Sequence, residues 1–288
     1  MAQTTIAIVA DCDDTLAPDT TGQLLELCGI NAQDFFQNQS ASLVRAGWDP
    51  TLAYMRKMVE LTQGGGPLSD LTQAKIRELA DELEFYPGVP DCFQRIKENV
   101  EGNETFRDAG VRVESYVISG GISDLLQASV LRHSMHHIWA CDFEYDSQGV
   151  ISFPRNVISF TDKTRFLYMI HKGKVGPVFA GQPYAVNDHM TPEERPIPFS
   201  NMIYIGDGPS DIPCMSMLQA NGGFVIGVLS EDNPAKTWAL GFGRRPNLTV
   251  PPDFREGEIA YKTLLQAVWA RAEAIAGQAA ETGPIPQH

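Results

Sequence analysis

The sequence predicts an α/β fold in which a doubly wound parallel sheet carries helices on both faces. Short apolar runs typical of buried strands recur along the chain, and segments with helical spacing of apolar residues separate them. Such alternation of strands and helices is typical of parallel sheets, which bind ligands at the carboxyl ends of their strands. The length of 288 residues suffices for one large domain, or for a core with a smaller module.

The first strand is predicted at residues 6–10, which are apolar without interruption. A continuous run of this kind is typical of a central strand that is buried on both faces. It ends abruptly in an acidic stretch, residues 11–15, with the sequence DCDDT. Carboxylates directly after a buried strand are therefore predicted to lie in a ligand site.

The following segment, up to residue 86, has a helical pattern throughout. Asn31 is predicted to cap one helix, and Asp49 with Pro50 to begin another. The run GGGP at 64–67 should end that second helix, and a third helix follows it. Because no part of the segment alternates like a strand, residues 18–86 are predicted to form a separate helical module. Residues 1–17 and 87–280 are then predicted to form the core.

The rest of the chain returns to alternating strands and helices. Strands are predicted at 111–118, 202–205 and 224–229, a hairpin at 143–153, and helices at 93–100, 125–131, from Lys163 onward, and at 264–276. Residues 171–200 contain many Pro and Gly and are predicted to form a long surface loop or insertion, of a purpose that the sequence leaves open. The tail 281–288 is predicted to be disordered.

Four polar clusters each lie beside a predicted strand end or helix start. They are Asp11 with Asp13, Ser119, Lys163, and Asp207 with Asp211. Each has an ordinary structural explanation when taken alone, such as a tight turn, a helix cap or a solvated lysine. Their occurrence together, in this order and context, is a much more specific signal.

This order resembles the haloacid dehalogenase superfamily, whose motifs are DxDxT, a Ser or Thr, a Lys, and GDxxxD. The match covers the core of the chain, outside the helical segment. The resemblance implies a Rossmann-like core, and the segment 18–86 is similar to the inserted helical domain called a C1 cap. A cap of this type closes over the core, excludes water and contacts the leaving group.

Elementary electrostatics supports a metal at the first motif. Asp11 and Asp13 are two residues apart, so they would share one face of an extended segment and repel each other. A divalent cation removes this conflict, and Mg²⁺ prefers carboxylate oxygens together with water and phosphate oxygens. Asp207, after a neighbouring strand, can supply a further ligand.

The resemblance also implies a role for each motif residue. Asp11 would attack phosphorus and form an aspartyl-phosphate. Asp13 would protonate the leaving oxygen and then deprotonate the attacking water, while its main-chain carbonyl binds the metal. Lys163 would neutralise charge on the nucleophile and the phosphoryl group.

The remaining motif residues would support this chemistry. Phosphate oxygens would be held by Thr15, by Ser119 and by the backbone N–H of Gly120, with Lys163 assisting. Asp211 would orient metal-bound water or Lys163 from outside the metal's own ligand shell.

The predicted function is that of a magnesium-dependent phosphatase acting on a small organic phosphomonoester. Asp13 favours phosphoryl transfer over cleavage of carbon–halogen or carbon–phosphorus bonds. In the similar phosphoserine phosphatases a glutamate lies nine residues after the nucleophile, whereas Thr20, preceded by Asp19, lies there in this chain. This difference argues against phosphoserine as the substrate. The alternatives are a phosphotransferase or phosphomutase, and a non-catalytic regulatory protein with the same fold.

Two further groups of residues have a structural interpretation. Arg45, Trp48, Arg56 and Lys57 of the helical segment are interpreted as surface or packing residues, although they could reach a substrate. The histidines at 133, 136 and 137 are interpreted as a surface helix terminus rather than a metal site, because they lie away from the predicted strand ends.

Composition excludes several classes of partner. The formal net charge of −14 argues against nucleic acids and anionic membranes, though not against a small phosphorylated metabolite in a local cationic pocket. No apolar run approaches the ~18 residues that span a bilayer. Five scattered cysteines without metal-site spacing, and the absence of a signal-peptide pattern, favour a cytoplasmic location. The oligomeric state is left open.

Overall fold

The computed structural model describes residues 3–229 and 246–281, and this part of the chain contains a seven-stranded sheet. The strand order is β4-β3-β2-β1-β5-β6-β7, and all neighbours are parallel except β3 and β4. The strands are β1 Thr5–Ala10, β2 Arg112–Ile122, β3 His137–Tyr145, β4 Ile151–Asn156, β5 Met202–Gly206, β6 Phe224–Val228 and β7 Leu248–Val250. The predicted α/β fold with a Rossmann-like parallel sheet is confirmed.

Strand β1 lies at the centre of the sheet, where the strand order reverses. Its residue Val9 pairs with Tyr116 of β2 on one side and with Tyr204 of β5 on the other. The chain leaves β1 toward β2 and later returns to the opposite side with β5. Ligands of open α/β sheets bind in the crevice that such a reversal creates at the carboxyl ends of the strands.

Helices α1 to α7 lie between β1 and β2. They are α1 Thr20–Leu27, α2 Ala32–Asp34, α3 Ala41–Arg45, α4 Pro50–Thr62, α5 Gln73–Leu79, α6 Asp91–Gly102 and α7 Glu104–Asp108, with a π-helical stretch at Phe35–Ser40. The later helices are α8 Ser123–Ala128, α9 Asp162–His171, α10 Ile212–Ala220 and α11 Ile259–Glu281.

The two predicted helix caps are confirmed. The side chain of Asn31 accepts a hydrogen bond from the backbone N–H of Asp34 at 2.7 Å, and Asp49 accepts one from Leu52 at 3.0 Å. Pro50 occupies the first turn of α4, where its missing N–H costs no helical hydrogen bond.

Alternate residues of β1 enter two separate hydrophobic cores, because successive side chains of a strand point to opposite faces. Ala7 and Val9 belong to one core, and Ile6, Ile8 and Ala10 belong to the other. The first core also contains buried side chains of the helical segment, among them Leu24, Phe35, Met55, Met58, Leu68 and Ile76. The second core is completed by residues of α6 and α11.

Direct hydrogen bonds also tie the helical segment to the rest of the protein. The Tyr54 hydroxyl donates to the carbonyl of Gly120 at 2.6 Å. Gln73 and Arg77 of α5 both donate to the carboxylate of Asp124 on α8, at 3.0 and 2.6 Å. The division into a core and a cap at residues 18–86 stays a prediction, and the segment shares a core and hydrogen bonds with the sheet domain.

Sequence reasoning missed helices α7 and α10 and strand β7. Helix α10 has apolar residues around most of its circumference, so it lacks the one-sided spacing that marks an amphipathic helix. Strand β7 has three residues and pairs only with β6. The predicted insertion at 171–200 contains three short 3-10 helices, Pro177–Phe179, Pro183–Asn187 and Pro192–Glu194.

The last predicted element, the disordered tail at 281–288, begins at the final residue of α11. Glu281 is helical, and residues 282–288 lie outside the described part of the chain.

Within the described residues, no helix has the length and apolar character needed to cross a membrane.

Candidate active site

Asp11 follows β1 directly at the reversal point of the sheet. Its backbone N–H donates to the carbonyl of Ile205 in β5 at 2.9 Å, which continues the strand pairing by one residue. Its side chain is buried, with 5% of the residue exposed. One carboxylate oxygen, Oδ1, accepts a hydrogen bond from the backbone N–H of Cys12 at 2.7 Å. The other oxygen, Oδ2, faces Lys163.

Lys163 bridges two carboxylates at the start of α9. Its Nζ lies 2.6 Å from Oδ2 of Asp11 and 2.8 Å from Oδ1 of Asp211. All three side chains are buried. Helix α9 thus places one ammonium group between motifs that lie about 200 residues apart in sequence. A buried charge of this kind requires such partners.

Asp211 is held by four groups of the protein. Its Oδ1 accepts from Lys163 and from the Tyr204 hydroxyl at 2.7 Å, and its Oδ2 accepts from the backbone N–H groups of Asp207 and Gly208, both at 3.2 Å. Both oxygens are therefore engaged in orienting Lys163 and the loop after β5.

A group of three acidic side chains could hold a metal ion here. Carboxylate oxygens of Asp11, Asp207 and Asp211 all lie within 4.8 Å of one another, and all three residues are buried. Since the oxygens of Asp211 are engaged, Asp11 and Asp207 are the better candidates for direct ligands. Thr15 donates its hydroxyl to Oδ1 of Asp207 at 3.3 Å. A cluster of hard oxygen donors fits Mg²⁺.

The electrostatics of the cluster indicates a need for positive charge. Burial raises the pKa of Asp11 well above its ordinary value, and the charges of Asp211 and Asp207 raise it further, while Lys163 opposes them. Burial alone would lower the pKa of Lys163, but Asp11 and Asp211 raise it above its ordinary value. Lys163 therefore remains a cation, and its single charge faces several carboxylates.

Asp13 lies in a different environment from Asp11. Its Oδ1 accepts hydrogen bonds from the backbone N–H of Thr20 at 2.8 Å and from the Thr20 hydroxyl at 2.6 Å. Burial raises the pKa of Asp13, and the two bonds from Thr20 partly offset this effect. A carboxyl group with a raised pKa is suited to donate a proton near neutral pH.

A cavity of about 560 Å³ opens at these residues. Asp11, Asp13, Gly120, Lys163 and Asp207 line it, so the structure brings these predicted site residues together. The helical segment and the loop before α9 also contribute to the lining, with Phe36, Ser40, Val44, Arg45, Thr51, Tyr54 and Phe160. A volume of this size is typical of sites for small molecules.

The remaining predicted site residues are fully buried. Thr15, Ser119 and Asp211 are each 0% exposed, and their polar atoms bond to other protein groups. Oγ of Ser119 accepts a hydrogen bond from the backbone N–H of Gly121 at 2.9 Å. The assignment of phosphate binding to Thr15 and Ser119 stays a prediction.

Sequence reasoning missed several contributors to this site. Thr20 and Tyr204 contact Asp13 and Asp211, and the Tyr54 hydroxyl contacts Gly120. Asp19 is a typical helix-capping residue, so the sequence could have indicated that α1 begins at Thr20, whose backbone N–H is then free to bind a carboxylate. No local pattern identifies the two tyrosines, since their partners are set by the fold.

The basic residues of the helical segment differ in their surroundings. Arg45 lines the cavity. The guanidinium of Arg56 lies over the ring of Trp48 at 4.2 Å, and Arg56 and Lys57 each form an ion pair with Glu60. Trp48, Arg56 and Lys57 therefore make contacts within the helical segment, as expected for surface or packing residues.

The histidines interpreted as a surface helix terminus lie elsewhere. His133 belongs to a 3-10 helix and His137 begins β3. In the described part of the chain, the acidic group around Asp11 is the one cluster of His, Cys, Asp or Glu suited to a metal.

The hydrogen bond between Tyr54 and Gly120 leads to a first prediction. Tyr54→Phe removes the donor and leaves the Gly120 carbonyl without it, which should lower the free energy of unfolding by about 1–3 kcal/mol. Chemical denaturation of the purified variant measures this change. Tyr145→Phe is the comparison variant: it also loses a side-chain hydrogen bond, but its partner Asp124 keeps those from Gln73 and Arg77, so a smaller loss is expected. An unchanged free energy of unfolding for Tyr54→Phe would contradict the prediction.

Comparison with known proteins gives relatives at low sequence identity. A scan against models of known protein families finds no match. An uncharacterised protein of Borreliella burgdorferi is 23% identical over 234 residues, which cover 74% of this chain and 78% of that protein.

Solved structures provide the more informative likeness. A phosphoserine phosphatase in its apo form has a TM-score of 0.56 and 14% identity, over 88% of this chain and 96% of that one. A probable phosphoserine phosphatase from Vibrio cholerae has a TM-score of 0.54 and 14% identity, over 95% of this chain and 68% of that one. A HAD-family hydrolase from Salmonella enterica serovar Typhi has a TM-score of 0.52 and 15% identity, over 81% of this chain, which spans 65% of that protein. The chain therefore has the fold of the haloacid dehalogenase superfamily, in the form seen in phosphoserine phosphatases.

Proposed function

We propose that the protein is a magnesium-dependent phosphohydrolase that cleaves a small organic phosphomonoester through an aspartyl-phosphate on Asp11. The observation that carries this proposal is the bridge from Lys163 to Asp11 and Asp211, at 2.6 and 2.8 Å, on the wall of a cavity that also contains Asp13 and Asp207. It combines a nucleophile, a fixed cation and a proton donor in one small-molecule site.

Asp11 is well placed to act as the nucleophile. Its backbone is fixed by β5, and its Oδ1 is fixed by the N–H of Cys12. Lys163 opposes the effect of burial on the pKa of the Asp11 carboxyl, and it would stabilise the negative charge that gathers on the transferred phosphoryl oxygens. The N–H of Gly120, with Thr15 and Ser119, would complete the phosphate site.

Asp11, Asp207 and the backbone carbonyl of Asp13 would hold the Mg²⁺ ion. The buried surplus of negative charge described above supports this donor set. When bound, the ion supplies positive charge that neutralises the carboxylates and a phosphate oxygen. Asp211 would act from outside the ligand shell, since its oxygens already hold Lys163 and the loop after β5.

Asp13 would serve as the general acid and base. Its carboxyl would donate a proton to the leaving oxygen and then accept one from the water that attacks the aspartyl-phosphate. The leaving group would contact the wall formed by the helical segment. We propose a small phosphorylated metabolite as the substrate, and a cytoplasmic location stays a prediction from the sequence.

A screen of phosphorylated metabolites tests the proposal. The purified protein is incubated with each ester and Mg²⁺, and inorganic phosphate is measured in the absence of any acceptor alcohol. Release that requires Mg²⁺ supports a hydrolase. Transfer of phosphate to added alcohols without release to water would indicate a phosphotransferase, and no reaction with any ester would overturn the proposal.

Removal of the metal should abolish activity, and Asp207→Asn should weaken magnesium binding. The substitution removes one of the buried carboxylate ligands, so we expect the Mg²⁺ concentration for half-maximal activity to rise at least about tenfold. Thermal unfolding provides an independent readout, because Mg²⁺ that binds the folded state raises the melting temperature. Full activity of the wild type in excess chelator would contradict the metal assignment.

A further inference from the structure

Thr20 makes an unusual contact with Asp13. Thr20 is fully buried, with 0% of the residue exposed, and two of its groups donate hydrogen bonds to the same carboxylate oxygen of Asp13. The backbone N–H lies 2.8 Å and the hydroxyl 2.6 Å from Oδ1 of Asp13. A carbonyl-type oxygen has two lone pairs, so this oxygen is fully occupied.

The occupied oxygen determines where Asp13 can carry a proton. A proton on Oδ1 would face the N–H of Thr20 and would require the Thr20 hydroxyl to turn and accept it, whereas a proton on Oδ2 leaves both hydrogen bonds from Thr20 intact. The second oxygen lies beside Gly121, where an added Cβ would be 3.1 Å from Oδ2 and 3.2 Å from both Ser119 Oγ and Thr20 Oγ1. The carboxyl group is therefore confined between Thr20 and the backbone of Gly121.

The position of Thr20 is itself fixed by the fold. Thr20 is the first residue of α1, and Asp19 caps this helix by accepting a hydrogen bond from the N–H of Gly22 at 2.9 Å. The N–H of Thr20 points away from the helix body, as the first amides of a helix do, and Asp13 accepts it. The start of α1 thus serves as a rigid support for the Asp13 carboxyl.

We infer that Thr20 is a positioning residue that aims Oδ2 of Asp13 at the leaving oxygen of the substrate. This inference rests on the proposed function, in which Asp13 is the general acid. In the first chemical step the bond between phosphorus and the leaving oxygen breaks while Asp11 Oδ bonds to phosphorus, and the proton moves from Oδ2 to the leaving oxygen. Thr20 changes no bond and sets only the direction of the donated proton.

If Thr20 positions the general acid, the effect of its substitution on the rate should depend on how basic the leaving group is. An alkyl ester expels a strongly basic alkoxide and needs the proton, whereas 2,4-dinitrophenyl phosphate expels a stable anion and needs it much less. Loss of the Thr20 hydroxyl leaves Oδ1 with one donor and a methyl group, so the carboxyl can rotate away. The loss of rate should therefore be selective for the poor leaving group.

The test compares Thr20→Val and Thr20→Ser by kcat/KM, which reports the steps up to formation of the aspartyl-phosphate. The substrates are 2,4-dinitrophenyl phosphate, 4-nitrophenyl phosphate and the best alkyl ester from the metabolite screen. For Thr20→Val we expect the alkyl ester to lose at least about tenfold more kcat/KM than the dinitrophenyl ester. Thr20→Ser, which keeps the hydroxyl, should restore the wild-type ratio within about threefold.

The comparison does not depend on how much of the variant folds, since both substrates are measured on one preparation and the active fraction cancels in the ratio. Ser129→Ala is the matched control, because it removes a buried hydroxyl that donates to Leu126 away from the cavity. An equal loss for every ester in Thr20→Val, or no loss, would overturn the inference. An inactive wild type would instead overturn the proposed function.

Discussion

Asp11→Asn is expected to abolish phosphate release, by at least about 10⁴-fold, while the protein remains folded. Asparagine cannot form the acyl-phosphate, because its amide nitrogen and carbonyl lack the negative charge of the nucleophile. It can still accept the hydrogen bond that the Cys12 N–H gives to Oδ1 at 2.7 Å. The change removes a buried carboxylate whose pKa burial raises, and Lys163 keeps Asp211 as its partner at 2.8 Å, so the free energy of unfolding should not fall.

Initial rates of phosphate release in saturating Mg²⁺ measure the loss, and circular dichroism with thermal unfolding checks the fold. Asp142→Asn is the matched control: it neutralises a half-buried carboxylate on β3 that pairs with Arg155 and faces another cavity. This control should retain the wild-type rate. A folded Asp11→Asn protein with a near wild-type rate would show that Asp11 is not the nucleophile.

Lys163→Met should reduce both activity and stability. The cation that stabilises the phosphoryl charge is lost, and we expect kcat/KM to fall about 10³-fold. Asp11 and Asp211 are left buried without their shared partner, which should cost about 3–5 kcal/mol of the free energy of unfolding. Urea denaturation measures the second effect without any substrate.

A surface pair provides the comparison for this variant. Lys174 lies 2.9 Å from Asp188, and both side chains are partly exposed, so Lys174→Met should cost about 0–1 kcal/mol. The double variant Asp11→Asn with Lys163→Met should recover part of the lost stability, because one of the two unpaired carboxylates is gone. If Lys163→Met and Lys174→Met lowered the free energy of unfolding equally, the buried contacts of Lys163 with Asp11 and Asp211 would not be the cause of the loss.

The residues of the candidate site could be predicted from the sequence because their signals are local. A fully apolar strand followed by Asp11, the Gly-Asp pair at the end of β5 and the lysine at the start of α9 can each be recognised within a few residues. The sequence analysis placed Asp207 after a strand that neighbours β1, and the structure has β5 in that position, whereas the order of the seven strands was not predicted. These signals sufficed to bring Asp11, Lys163, Asp207 and Asp211 together.

The contacts that complete the site were not predictable in the same way. The Tyr54 hydroxyl donates to Gly120 across 66 residues, and the Tyr204 hydroxyl donates to Asp211, which lies in the short 3-10 helix after β5. Thr15 and Ser119 have the residue types that the family resemblance implies, but their complete burial was not predictable from the sequence. Side-chain partners of this kind depend on packing between elements, which hydrophobic periodicity does not specify.

The shared hydrophobic core has a consequence for how a substrate enters. A rigid swing of the helical segment away from the sheet would expose Leu24, Phe35 and Met55, which are fully buried with Val9. At about 25 cal/mol per Å² of apolar surface, wide opening of that kind would cost several kcal/mol and would be rare. The substrate should instead enter, and the product leave, past Val44 and Phe160, two partly exposed residues of the cavity lining. Small movements of these side chains expose little additional apolar surface. Bulk at these two positions would then set the rate of product escape.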